Sequence, residues 1–345
     1  MPLKKARAVA ASSADVESAA DEVLSKGNAV DAVVAGVFAA CASSPGVLLG
    51  PVQILIGGPG AGLLAIDGRV RQPGMGAPRP RGFMPDEEIP DASRIGAPWL
   101  PAALSVAIAT AGTATFAQVL APAIALAKGT PRKDVLARIA SRGPRAIEER
   151  PLGAELLAIA GRPNGGLLTA DDLSSPRPGV QKAATIILAA STSPRATRAF
   201  VLPWAHIDGE SPAPPAHAPD LQVARARAVV AVDRNATFAI AVFDEATDGL
   251  MVGDLALRAP FFAEPVKRSQ TRVKPGEARP AAAPIALVGS DAPEIAFAAF
   301  GAGDAYEVVR GAIQGLARAE RIEAHGDARL VALSHASGTA SVFRS

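Results

Sequence analysis

The chain has 345 residues, 49% of them hydrophobic and 20% charged, enough for one large or two modest cores. Its 35 basic and 33 acidic residues leave a formal net charge of +2, which excludes the charge excess that would hold nucleic acid or an anionic membrane. One tyrosine and two tryptophans exclude a stacking platform for bases, and the lone Cys41 excludes an intrachain disulfide or a thiolate metal cluster.

The first 22 residues begin with a basic cluster and turn acidic before any apolar run fit for a signal peptide or a membrane span. A cytoplasmic protein is expected. Residues 15–42 read as two helices separated at Gly27 and Asn28, with Gly27 suited to a left-handed C-cap and Asn28 to the next N-cap. The second helix is apolar almost all round and should be buried, Cys41 with it.

VQILIGG and GLLAIDGRVRQ read as a strand pair, with a hairpin expected at Asp67-Gly68. GGPGAG (57–62) lacks the Lys-Ser/Thr of a phosphate loop and reads as a tight turn. A Pro-rich connection (74–90) leads to helices expected at 101–111, 115–128 and 132–140. GRPNGGLLTADDL (161–173) ends in a turn capped by Thr169.

The span 195–224, with SPAPPAHAP at its centre, is the linker candidate between a first half, 1–194, and a second, 225–345. After it the period becomes strand-like. ARAVVAVD and ATFAIAVFD flank a turn at Asp233-Arg234-Asn235, followed by PIALVGSD, EIAFAAF, a helix over 305–319 and a closing hairpin. Strands, helices and strands again imply an α/β or α+β fold, a sheet layered with helices.

The run Gly27-Asn28-Ala29-Val30-Asp31-Ala32, followed in order by the Gly-rich strand pair, Ala77-Pro78, APAIALAKG (121–129) and GGLLTADDL (165–173), resembles the gamma-glutamyltransferases. VVAVDRNATFAIAVF and EARPAAAPIALV resemble the first hairpin and a later strand entry of that family's small subunit, so the likeness runs nearly end to end. What the resemblance implies is the N-terminal nucleophile hydrolase fold, a four-layer αββα sandwich, within a single domain over 1–345.

The same resemblance implies a chemistry. Family members cut their own chain, and the Thr that becomes the new N-terminus attacks a gamma-glutamyl carbonyl while its amine acts as base. Counting back from Asp233 puts Ala226 at that nucleophile, with Arg227 and Ala228 at the Thr and His that follow it. No Ser, Thr or Cys lies in 221–235. Losing such a nucleophile costs about a million-fold in turnover, or roughly 8 kcal/mol.

The substrate contacts implied by the resemblance are altered as well. The arginine that clamps the substrate carboxylate corresponds to Gly74, with Arg71 and Arg79 nearby in sequence and surface arginines by default. The serine pair corresponds to Ala281 and Ala282, followed by Ala283, and the acidic contacts to LRAPFF (257–262). The Gly pair of the oxyanion turn survives in part as Ala302-Gly303, which equally suits a plain strand-to-helix turn.

His206, His217, His325 and His335 have no metal-ligand spacing, and the acids at 86–88 and 171–172 sit in loops or first turns. No metal and no cofactor is expected. The leading expectation is an unprocessed, non-catalytic relative with a binding or assembly role, as a homo-oligomer or with a partner protein. The rival is an amide hydrolase using Thr237, Ser334 or Ser337.

Overall fold

In the computed structural model of the protein, residues 7–78, 80, 82–174, 176–188, 197–205, 226–268, 270–301, 305–318, 329–336 and 339–344 are described. Strands β1 (Ala8–Ala11), β2 (Val52–Gly58), β3 (Gly62–Gly68) and β4 (Val180–Lys182) join β7 (Ala226–Val232) and β8 (Phe238–Asp244) in a six-stranded sheet ordered β1-β7-β8-β2-β3-β4. A second six-stranded sheet, ordered β14-β13-β12-β11-β6-β5, contains β5 (Ala184–Ile187), β6 (Arg198–Val201), β11 (Ile285–Gly289), β12 (Pro293–Phe300), β13 (Arg329–Ala336) and β14 (Thr339–Arg344). All pairings are antiparallel. A small ribbon, β9 (Leu250–Met251) with β10 (Arg258–Ala259), lies apart.

Strand alternation makes the first sheet a partition between two cores. In β7, Val229 and Ala231 join the core on the helical side, whereas Ala226, Ala228, Val230 and Val232 join the core shared with the second sheet. With side chains pointing alternately to opposite faces, a strand buried on both faces must be apolar, which is why Ala228 to Val232 reads as a continuous apolar run, while Arg227 near the strand's start is half-buried and pairs with Glu245. The helical core holds α1 (Ala14–Leu24), α2 (Ala29–Ser43), α3 (Leu100–Ala111), α4 (Phe116–Leu126), α5 (Arg132–Arg142), α6 (Leu152–Ala160) and α7 (Ala170–Ser174). On the far side, Val308, Val309, Ala312 and Ile313 of α8 (Ala305–Arg318) pack on the second sheet. The layers are therefore αββα, as expected.

The Gly27–Ala32 run is a structural joint. A Cβ at Gly27 would stand 2.5 Å from Asp31 Oδ2, so the approach requires glycine. Asn28 accepts from the amides of Val30 and Asp31 while Asp31 accepts from the Asn28 amide, a reciprocal cap that starts α2. Asp31, fully buried, also accepts from the amides of Thr113 and Ala114 and the Thr113 hydroxyl, tying α2 to the α3–α4 turn. Every residue of α2 except Ser43 is buried, Cys41 among them, because other helices flank α2 and the first sheet lies beneath it.

Three expectations are corrected. Gly27 is not a left-handed C-cap: α1 ends with its C-cap Ser25 in the right-handed region, and Gly27 is not among the glycines with positive φ. The β2–β3 turn lies at Pro59-Gly60-Ala61, not at Asp67-Gly68, which close β3. Positive φ at Gly58, Gly60 and Gly62 makes the earlier turn the tight one. Within the span 195–224, Arg198–Val201 form β6 rather than linker, and residues 195–196 and 206–224 lie outside the described residues. Helix α6 and strands β4 and β5 had no expectation; the strands are three and four residues long and mostly exposed or half-buried, so no alternation marks them.

Candidate functional site

Ala226 is the first residue of β7, and its methyl is buried in the core between the sheets. The register fixes its surroundings. Ala226 opposes Asp244; one rung further, Ala228, Val242, Gln53 and Asp67 form a row across β7, β8, β2 and β3. Directly opposed residues share a face, so Gln53 and Asp67 point to the side of the sheet that Ala226 faces. Two strand spacings and two residues of rise put Gln53 roughly 12 Å from Ala226.

Gln53 is the hub of this end of the sandwich. Its Nε2 donates to the carbonyls of Ala282 (2.9 Å) and Ala281 (3.5 Å), and its Oε1 accepts from Trp204 Nε1 (2.6 Å). The positions where the resemblance implies two hydroxyls thus serve through their backbone. Trp204 follows β6, so Gln53 stitches the two sheets together.

Beside it, Asp67 takes a bidentate pair from Arg69 (2.9 and 2.8 Å) and an ion pair from Arg71 (3.0 Å). The Arg69 guanidinium lies 4.9 Å from the Trp204 ring centroid and that of Arg71 4.1 Å from Trp99, both in cation–π range. Burial pushes the Asp67 carboxyl up, but the hydrogen bonds and charge of Arg69, with the charge of Arg71, outweigh it and hold the carboxyl below its ordinary value. Burial pulls the Arg71 guanidinium down, partly offset by Asp67. Arg71 is therefore not the surface residue expected by default: it is buried and committed to Asp67. Arg79 lies outside the described residues.

The segment after β3 runs beside the one leading to Ala281. The Gln72 amide donates to the Glu277 carbonyl and the Arg279 amide to the Val70 carbonyl, while Arg279 pairs with Glu264 at 2.9 Å. Gly74 has φ +114°, a region that disfavours side chains, and its amide donates to Asp172 Oδ2 at 2.8 Å. Asp172 also accepts from the amides of Met75 and Thr169 and from the Thr169 hydroxyl. The TADDL turn is accordingly a clasp on the Gly74 loop.

Gln53 bonds to the carbonyls of Ala281 and Ala282 and lies on the face of the first sheet that Ala226 also faces. Ala302 and Gly303 lie outside the described residues, as do His206, His217, His325 and Ser337. Thr237 is buried beyond the β7–β8 turn, its amide donating to Asp233. Ser334 and His335 are consecutive in β13 and face opposite ways. Sequence reasoning missed Ser12, whose hydroxyl accepts from the Ala228 amide (3.3 Å) and extends the β1–β7 ladder towards Ala226. It also missed Gln53, for which an isolated polar residue in an apolar strand was the available signal.

No family model and no curated protein matches the chain. Among solved structures it is similar to LmbA2991HD, at TM-score 0.71 and 13% identity over 98% of this chain and 96% of that one. It is likewise similar to cephalosporin acylase from Bacillus halodurans, at TM-score 0.68 and 14% identity over 99% and 96%. The gamma-glutamyltranspeptidase from Pseudomonas nitroreducens matches at TM-score 0.48 and 23% identity over 57% of this chain and 71% of that one.

Two facing antiparallel sheets between helical layers, shared over nearly the full chain with an acylase, define the N-terminal nucleophile hydrolase fold. It is the fold that the likeness to gamma-glutamyltransferases implies.

Proposed function

We propose that this chain is a shortened, non-catalytic gamma-glutamyltransferase-like protein that stays in one piece and serves by binding or assembly. The observation that carries the reading is Ala226. The first residue of the central hairpin strand, where this chemistry needs a hydroxyl or thiol and then a free amine, is a buried methyl. A methyl can neither attack a carbonyl nor start the N-to-O acyl shift that precedes self-cleavage.

The surroundings support the same reading. Gln53 pairs with Trp204, and Asp67 with Arg69 and Arg71, at the inter-sheet end; among these groups Arg71 Nε is buried without a hydrogen-bond partner, and the remaining polar groups are committed to one another rather than open to substrate. Gly74 holds a backbone conformation unsuited to an arginine. No helix among the described residues is long and apolar enough to cross a membrane; a cytoplasmic setting is part of the proposal.

Incubation with a chromogenic gamma-glutamyl anilide tests the reading. No release above buffer is expected. Turnover abolished by Thr237→Ala, Ser334→Ala or Ser337→Ala would instead establish a hydrolase with another nucleophile.

A further inference from the structure

We propose that the groove along the outer edge of β1 binds an extended peptide as an added strand, with an acidic side chain at the end next to Arg7 and Arg234. The inference concerns a surface away from Ala226 and does not rest on that site being inert.

The groove has a volume of about 1130 Å3. Ala8, Val9 and Ala11 of β1 line it, α1 supplies Glu17 and Asp21, and β14 supplies Val342 and Arg344. Among the described residues β1 pairs only with β7, and none of them fills the ladder on its other edge. The Ser12 amide donates to the Ala228 carbonyl, and hydrogen-bonded pairs alternate along an antiparallel ladder. Ala8 and Ala10 therefore turn their peptide groups to β7, while Val9 and Ala11 turn theirs to the groove.

The Ala11 amide is occupied by Glu17 Oε2 at 3.2 Å, and Glu17 is itself held by Arg344. Val9 is left as the open rung, able to exchange both of its bonds with one residue of an incoming antiparallel strand. Val342, 42% exposed, offers that strand an apolar contact.

Charge selects the occupant. Arg7 donates to the Leu24 carbonyl at 2.9 Å, and neither Arg7 nor Arg234 has an ion pair with a described residue. Glu17 is neutralised by Arg344, and Asp21 offsets only one of the two remaining cations. An acidic residue at this end gains a guanidinium partner, whereas a lysine meets repulsion.

The test uses the full chain and a fluorescein-labelled peptide amide, Thr-Val-Thr-Glu-Glu, followed by anisotropy. Two control peptides carry N-methyl groups on the three central amides or Lys-Lys in place of Glu-Glu. Saturable binding is expected, weakened at least fivefold by Arg234→Glu, which is exposed in the β7–β8 turn, and at least tenfold by either peptide change. The peptide arms need no variant protein, so a misfolded Arg234→Glu chain leaves the proposal falsifiable. Absence of saturable binding overturns it, as does binding indifferent to N-methylation and peptide charge. A dimer by light scattering that takes up no peptide also overturns it, since a second copy would then be the occupant.

Discussion

The indole Nε1 of Trp204, on the second sheet's side of the inter-sheet layer, lies 2.6 Å from Oε1 of Gln53 on the first. Through Gln53 this contact continues to the carbonyls of Ala281 and Ala282, so one amide side chain satisfies groups from three distant segments. Gln53→Ala leaves the indole donor and the Ala282 carbonyl without that partner and should cost about 1–3 kcal/mol, seen as a lower midpoint in urea. Trp99 and Trp204 are the two tryptophans of the chain, so their emission should shift red before global unfolding in the variant and with it in the parent.

Asp67 sets an acid dependence. Its folded carboxyl is held below the ordinary value, so its contribution is fully present above the ordinary carboxylate range and is lost as pH falls through the lower folded value. Asp67→Asn should therefore lower Tm at pH 7, and the gap to the parent should narrow as pH falls towards 3. A gap that stays constant across that range contradicts the assignment.

Restoring single residues should not restore chemistry. Ala226→Thr supplies the hydroxyl but neither the carboxylate clamp nor the serine pair, and its turnover of a gamma-glutamyl anilide should remain at background. Gly74→Arg forces a side chain onto φ +114° and should destabilise by on the order of 1–3 kcal/mol, measured by denaturant unfolding.

The joint at Asp31 is where the scaffold is most exposed to damage. Asp31→Ala removes an acceptor used by Asn28, Thr113 and Ala114 in a fully buried setting. Several buried donors are orphaned together, so the loss should exceed 3 kcal/mol. An Asp31→Asn chain retains one acceptor oxygen and should lose less.

Much of the fold was legible because its signals are local. Asn28 and Asp31 are three residues apart and cap one helix, and Thr169 with Asp172 does the same for α7. Ala228 to Val232 of β7 and Phe238 to Phe243 of β8 are apolar on both faces and flank Asp233-Arg234-Asn235, which makes a hairpin plain. The proposed site positions rest on motif order alone, Ala226 on counting back from Asp233. What stayed hidden depends on distant partners: Gln53 meets Trp204 across 151 residues and Ala282 across 229, and no spacing rule joins such groups. Arg71 read as a surface residue because nothing nearby in sequence announces that Trp99 will cover it. The β2–β3 turn was misplaced because Asp67-Gly68 matches a common hairpin dipeptide, while the true turn relies on three glycines with positive φ.

Whether the chain remains uncut tests the central claim most directly, by intact mass spectrometry of the purified protein after prolonged incubation at neutral pH. The account predicts a single species at the mass of the whole chain, 34.9 kDa. Two fragments meeting next to residue 226 would contradict it, because a chain that cleaves there possesses the nucleophile chemistry that Ala226 denies it.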